Sequence, residues 1–128
     1  MCIYQSQGDT AMQVTTGLSE ALSRYLDLSA DQMKVTASNM ANIDTPGYKT
    51  QGFDFEQEFS SAVHATAANS GPQIAEVDGL VARPDGNTVS LDRESLQLAK
   101  SQLQFRTGVE LLKHEFSRVM SAIHAESK

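Results

Sequence analysis

The chain is expected to be mainly α-helical, with two long helices from its two ends forming a coiled-coil-like hairpin joined by an irregular loop with short β segments. Three observations carry this expectation. Apolar residues recur at three- and four-residue steps before residue 42, and they do so again after residue 92. That is the period at which side chains share one face of an α-helix. Between these stretches, Pro-Gly and Asp-Gly turn signals replace the periodicity. With 128 residues, the expected organisation is one elongated domain. It comprises a flexible N-terminal segment over 1–17, a helix over 18–42, a turn, linker and short β region over 43–91, and a second helix over 92–126.

Residues 1–17 hold no Lys or Arg and no sustained apolar run, so a secretory signal with basic and hydrophobic regions is not expected. Cys2 is the only cysteine, which excludes an internal disulfide and a thiolate metal cluster. The first helix is carried by Leu18, Leu22, Tyr25, Leu26, Met33, Ala37 and Met40. Ser29-Ala30-Asp31-Gln32 has capping-box spacing, so one helix with room for a local kink is expected.

The helical pattern stops in Ser38-Asn39-Met40-Ala41-Asn42-Ile43-Asp44-Thr45-Pro46-Gly47-Tyr48-Lys49. Asn42 and Asp44 are suited to bonding nearby backbone amides, and Pro46 excludes helix from Thr45. Gly47 can take the positive φ that closes a Pro-Gly type II turn. A fixed corner results, which Tyr48 and Lys49 leave in extended form. Phe53 and Phe55 alternate as residues on one face of a short strand would. Ser60 to Pro72, rich in Ala, Ser, Asn and Gly, reads as a mobile linker or a weak helical extension. Ile74 to Ala82 suits a short strand or a hairpin around Asp78-Gly79, and Pro84-Asp85-Gly86-Asn87 is a second turn.

The last helix is marked by Leu98, Gln102, Phe105, Val109, Leu112, Phe116, Val119 and Ile123, a heptad seam with one polar interruption. Asp92 is the expected N-cap, with Leu91 and Leu96 as a hydrophobic staple. Leu103, Leu111 and Met120 widen the apolar surface beyond what a two-helix hairpin can cover. Heptad seams let the end helices pack side by side and leave a face for neighbouring subunits in a head-to-tail helical assembly.

Charge and spacing narrow the function. Sixteen acidic and ten basic residues give a net charge of −6, which provides no electrostatic footing for nucleic acid. No apolar run reaches the length of a membrane-spanning helix. His64, His114 and His124 lack the spacing of a helical metal pair, and Glu56 and Glu58 would point opposite ways on a strand. No cofactor and no catalytic group are expected.

The Ala41 to Tyr48 stretch resembles the signature of the flagellar rod and hook proteins, whose N-terminal helix ends in Ala-Asn-x-x-Thr-Pro-Gly-Tyr. Asp85 to Glu94 is similar to the Asp-Gly-Asn-x-Val-x-Leu/Met-x-x-Glu passage that introduces the C-terminal helix in the small proximal-rod members. The likeness spans residues 18–59 and 83–125. Ser101 and Phe105 depart from it, standing where relatives commonly carry Asn and Tyr. The resemblance implies a structural subunit of the proximal rod, exported by the flagellar type III apparatus without a cleaved signal. It also implies partners: other rod proteins, and the membrane ring and export gate of the basal body. In relatives, helices form an inner tube around an export channel and the corner packs outside it.

The expected functional positions are packing sites. Asn39, Asn42, Asp44, Thr45, Pro46, Gly47 and Tyr48 set the corner. Leu22, Leu26, Met33, Met40, Leu98, Phe105, Val109, Leu112, Phe116, Val119 and Ile123 line helix contacts. Two alternatives remain at this stage, a sibling proximal-rod protein and a cytoplasmic helical adaptor or export chaperone using the same seam.

Overall fold

The computed structural model describes residues 8–64 and 71–127. Two long helices dominate, α1 over Gly8–Ala41 and α3 over Leu91–Glu126, each roughly 50 Å long at 1.5 Å per residue. Between them lie β1 (Gln51–Gly52), a short helix α2 (Phe55–His64) and β2 (Ala75–Glu76). The two strands pair antiparallel, Gln51 with Glu76 and Gly52 with Ala75. No helix among the described residues is long and apolar enough to cross a membrane.

α1 begins at Gly8, well ahead of the expected start at 18, so part of the expected flexible segment is helical. The remainder of that segment, including Cys2, lies outside the described residues. α1 runs unbroken through Ser29, whose hydroxyl donates to Tyr25 O, 2.8 Å away and one turn back. That bond uses the side chain that would otherwise cap a new helix.

Between the long helices, local expectations are corrected or narrowed. Phe53 and Phe55 do not share a strand, because Asp54 ends the extended run and caps α2. Its side chain accepts from Gln57 N at 3.0 Å, and its carbonyl accepts from Glu58 N. Glu56 and Glu58 therefore lie in the first turn of a helix, where negative charge suits the dipole. Of the two alternatives for 74–82, the short strand forms and the hairpin does not: β2 pairs with β1, and Val77 N donates to Thr50 O. Ser60 to His64 is helical, and 65–70 of the expected linker lie outside the described residues.

At the start of α3 the N-cap is Ser90, not Asp92. Ser90 has extended φ and ψ, and its hydroxyl accepts from Arg93 N, so the helix starts at Leu91. Leu91 and Leu96 are both exposed, at 51% and 73%, and form no staple. The cap falls earlier because Val89 is buried and anchored before the helix begins.

The helix pair is antiparallel. Asn39 meets Glu94 near the loop end, and Tyr25 and Leu26 meet Gly108 about four turns further along both helices. Gln32 and Ser101, midway between these contacts, are both buried. The line that faces α1 is therefore Glu94, Ser101 and Gly108, at seven-residue steps, and it lies beside the predicted seam. On α1 the buried residues are Leu28, Ser29, Gln32, Val35, Thr36 and Asn39, so the apolar stripe through Met33, Ala37 and Met40 stands aside from the contact. Small residues win this position because they let the backbones approach. A Cβ on Gly108 would lie 2.8 Å from Leu26 Cδ2 and 3.0 Å from Tyr25 Cδ1.

Tyr25 also joins α2 to the pair. Its ring meets Phe55 and Phe59 edge-on, at centroid distances of 5.2 and 5.5 Å. Such T-shaped pairs add a directional contribution to area burial. Away from this cluster the interior is polar: Leu28, Val35 and Val89 are the fully buried apolar residues among those described.

Candidate assembly site: a polar clasp and an uncovered helix face

The corner after α1 forms as its residue chemistry dictates. Tyr48 N donates to Thr45 O and Gly47 takes φ +74°, which closes the Pro46-Gly47 turn. The Asn42 amide donates backward to Ser38 O at 2.8 Å, and its oxygen accepts from the Thr45 hydroxyl at 3.1 Å. Asp44 makes no side-chain hydrogen bond among the described residues, and Asp44, Thr45, Pro46 and Gly47 are exposed. Asn42 thus finishes the helix by satisfying a terminal carbonyl instead of a backbone amide.

The corner is held from a distance by the second turn. Asn87 is fully buried, and its Nδ2 donates to Asn42 O, Ile43 O and Thr45 O at 2.9, 3.1 and 2.8 Å. Its Oδ1 accepts from Val89 N at 2.7 Å. Asn87 therefore caps the C-terminal end of α1 from across the molecule. Gly47 N donates to Asp85 O and Thr88 N to Tyr48 O, which sews the two loops together. The Lys49 ammonium donates to Gly86 O, and the Arg83 guanidinium donates to Ile43 O. Thr88 Oγ1 accepts from Thr50 N at 2.9 Å and lies 3.0 Å from Thr50 Oγ1. Gly47 and Gly86 take φ of +74° and +85°, a backbone conformation that side chains rarely adopt, which is why both turns carry glycine.

A second polar hub lies one turn inside the helix pair. Asn39, 1% exposed, donates to Gln51 O at 2.8 Å and to Glu94 Oε2 at 3.0 Å. Its Oδ1 accepts from Gln51 N and from the Tyr48 hydroxyl. Every hydrogen-bonding direction of the Asn39 amide is used. The buried Glu94 carboxylate takes its other bond from Arg93 NH1 at 2.8 Å. Burial of a carboxylate is costly unless both oxygens are paired, and here both are, in the first turns of a helix where the dipole favours negative charge.

The proposed packing residues divide by face. Leu22, Leu26, Met33 and Met40 on α1 are half-buried, as are Leu98, Phe105, Val109, Leu112 and Val119 on α3. Phe116 and Ile123 are exposed at 59% and 56%, and Leu103, Leu111 and Met120 at 67%, 50% and 54%. Phe116, Met120 and Ile123 lie within about 60° of one another around the helix, so the pair leaves one apolar side of α3 open toward its C-terminal end. Nearby, the hydrogen bond and the charge of Lys113, 2.9 Å away, hold the Glu110 carboxyl below its ordinary range.

Sequence reasoning missed Asn87, Thr50, Thr88 and Glu94 as parts of the site. The Asp85-Gly86-Asn87 signal located a turn but not its partner 42 to 45 residues back. The signal for Glu94 is its seven-residue spacing from Ser101 and Gly108, a line parallel to the apolar seam.

Comparison with known proteins points the same way. Residues 26–49, the end of α1 with the corner, match the family described as "Flagella basal body rod protein". The flagellar basal body rod protein FlgB of Escherichia coli (strain K12) is 31% identical over 121 residues, covering 78% of this chain and 88% of the relative. The protein of the same name from Cereibacter sphaeroides is 32% identical over 127 residues, covering 87% and 99%. That from Salmonella typhimurium is 31% identical over 119 residues, covering 77% and 86%. With the clasp built from the two motifs and relatives aligned over nearly their whole length, the chain belongs to the flagellar basal body rod protein family.

Proposed function

We propose that this chain is a structural, non-enzymatic subunit of the proximal rod of the flagellar basal body. It is delivered by flagellar type III export without a cleaved signal and incorporated through its two long helices. The observation that carries the reading is the open apolar side of α3. Its large side chains are half or more exposed, while α1 meets α3 through Ser101 and Gly108. An apolar stripe of that length is an interaction surface awaiting a partner. The clasp fixes where the loop stands relative to the helix pair, so neighbouring subunits meet a defined surface.

Other rod proteins are the lateral and axial neighbours, and the membrane ring and export gate lie at the base of the stack. The test is deletion of the gene, imaging of purified basal bodies and complementation with a tagged copy. Loss of rod and hook above an intact membrane ring, with the tag at the rod base after rescue, is the expected outcome. Intact rods in the deletion strain would refute the reading and direct attention to a cytoplasmic helical partner.

A further inference from the structure

The backs of the two helices, turned away from each other, carry matching patterns. Asp27 stands two residues before the buried Ser29, and Arg106 two before the buried Gly108. Each is therefore about 200° around its helix from the contact between α1 and α3. Glu20 and Lys113 repeat these positions one heptad away, and all four residues are exposed. Among the described residues Glu20, Asp27 and Arg106 join no ion pair, and Lys113 pairs only with Glu110 of its own helix.

When an α3 back is laid antiparallel on an α1 back in the register that Asn39–Glu94 and Tyr25–Gly108 already set within the chain, the levels coincide. Arg106 falls level with Asp27, and Lys113 with Glu20. Glu110 falls between them, level with Ser23, and further toward the loop end the two most exposed leucines of α3, Leu103 and Leu96, fall level with Ala30 and Ala37. Each pair then occupies an a and d′ layer of an antiparallel coiled coil, the geometry in which a large side chain fills the hole beside a small one. α2 does not obstruct this face, because it packs on Tyr25, on the other side of α1.

We infer that the back of α3 docks on the back of α1 of a second copy of this chain, with Arg106 on Asp27 and Lys113 on Glu20. The contact is heterologous. Each copy offers both faces, so contacts repeat laterally as α1, α3, α1, α3, and this interface is separate from the open stripe around Phe116. The inference rests on the rod-subunit reading and names the lateral partner within it.

Charge exchange on the purified full-length chain tests it, with association followed by sedimentation over a concentration series. E20K/D27K and R106E/K113E should each weaken association about tenfold, as lost attractions become repulsions at two surface pairs. The fourfold variant, which keeps the net charge of −6, should recover wild-type association. An equimolar mixture of the two double variants should also recover association, because both contacts between unlike variants pair opposite charges, so that the two variants alternate. Far-UV circular dichroism and melting of all variants should match the wild type, since the positions are exposed. A monomeric wild-type chain at all concentrations, double variants that associate normally, or a fourfold variant as weak as the doubles would overturn the inference. The rod-subunit reading stands or falls separately, on the basal bodies of the deletion strain.

Discussion

Replacing Asn87 by Ala should unlock the corner from the second turn. The amide of Asn87 has two N–H donors, shared among three carbonyls, and one oxygen that accepts from Val89 N. About three hydrogen bonds are lost in a fully buried site. At about 1 kcal/mol net for each bond, and more for groups left unpaired, the cost is about 3 to 5 kcal/mol. Against a typical total of about 5 to 15 kcal/mol, that is a large fraction of the stability. Urea unfolding followed by far-UV circular dichroism should show the midpoint lowered by about 2 to 3 M for a slope of about 1.5 kcal/mol/M. Hydrogen exchange should accelerate at the Gly47 and Thr88 amides, whose acceptors lie across the clasp. Asn87→Asp separates bonding from volume, because it keeps the shape but turns an acceptor toward three carbonyls. Burial would raise that carboxyl's pKa in the folded state, so the added penalty should be absent below about pH 4, grow as pH rises, and level off above the folded value. A loss below about 1 kcal/mol in Asn87→Ala, with exchange at Gly47 unchanged, would refute the clasp.

Other substitutions test the remaining parts. Thr36→Val should stabilise the chain by about 1 kcal/mol in the same urea assay, because the buried Thr36 hydroxyl has no partner among the described residues. The glycines within the long helices should respond oppositely. Gly17→Ala, with open space around it, should gain up to about 1 kcal/mol, whereas Gly108→Leu should lose about 2 kcal/mol or more by forcing Leu26 and Tyr25 away. Phe116→Asp should leave the melting of the isolated chain within about 0.5 kcal/mol yet abolish rods in a complementation assay, since the ring is exposed. Leu112→Asp, half-buried, should impair both stability and assembly.

The helices, the corner and the second turn were legible in the residues because their causes are local. A three-four period makes a helix, Pro46 and Gly47 make a turn, and a polar residue before a periodic run makes a cap. Boundaries were less so: Ser90 displaced Asp92 because tertiary anchoring of Val89 decided where the extended chain ends. Phe55 left its expected strand for α2, where it meets Tyr25.

Which face of each helix is buried within the chain was not available locally. Apolar periodicity reports surface that favours leaving water, whichever chain covers it. It therefore marked Phe116 and Ile123, which this chain leaves open, alongside Leu98 and Leu112, which it half covers. The contact itself follows close approach and hydrogen bonding, through Gly108, Ser101 and the Asn39–Glu94 bond. The sequence by itself determined the elements, the turns and the amount of apolar surface. The tertiary structure alone decided that Asn39 meets Glu94, that Asn87 meets the corner, and which faces remain free, because those pairings join residues more than forty positions apart.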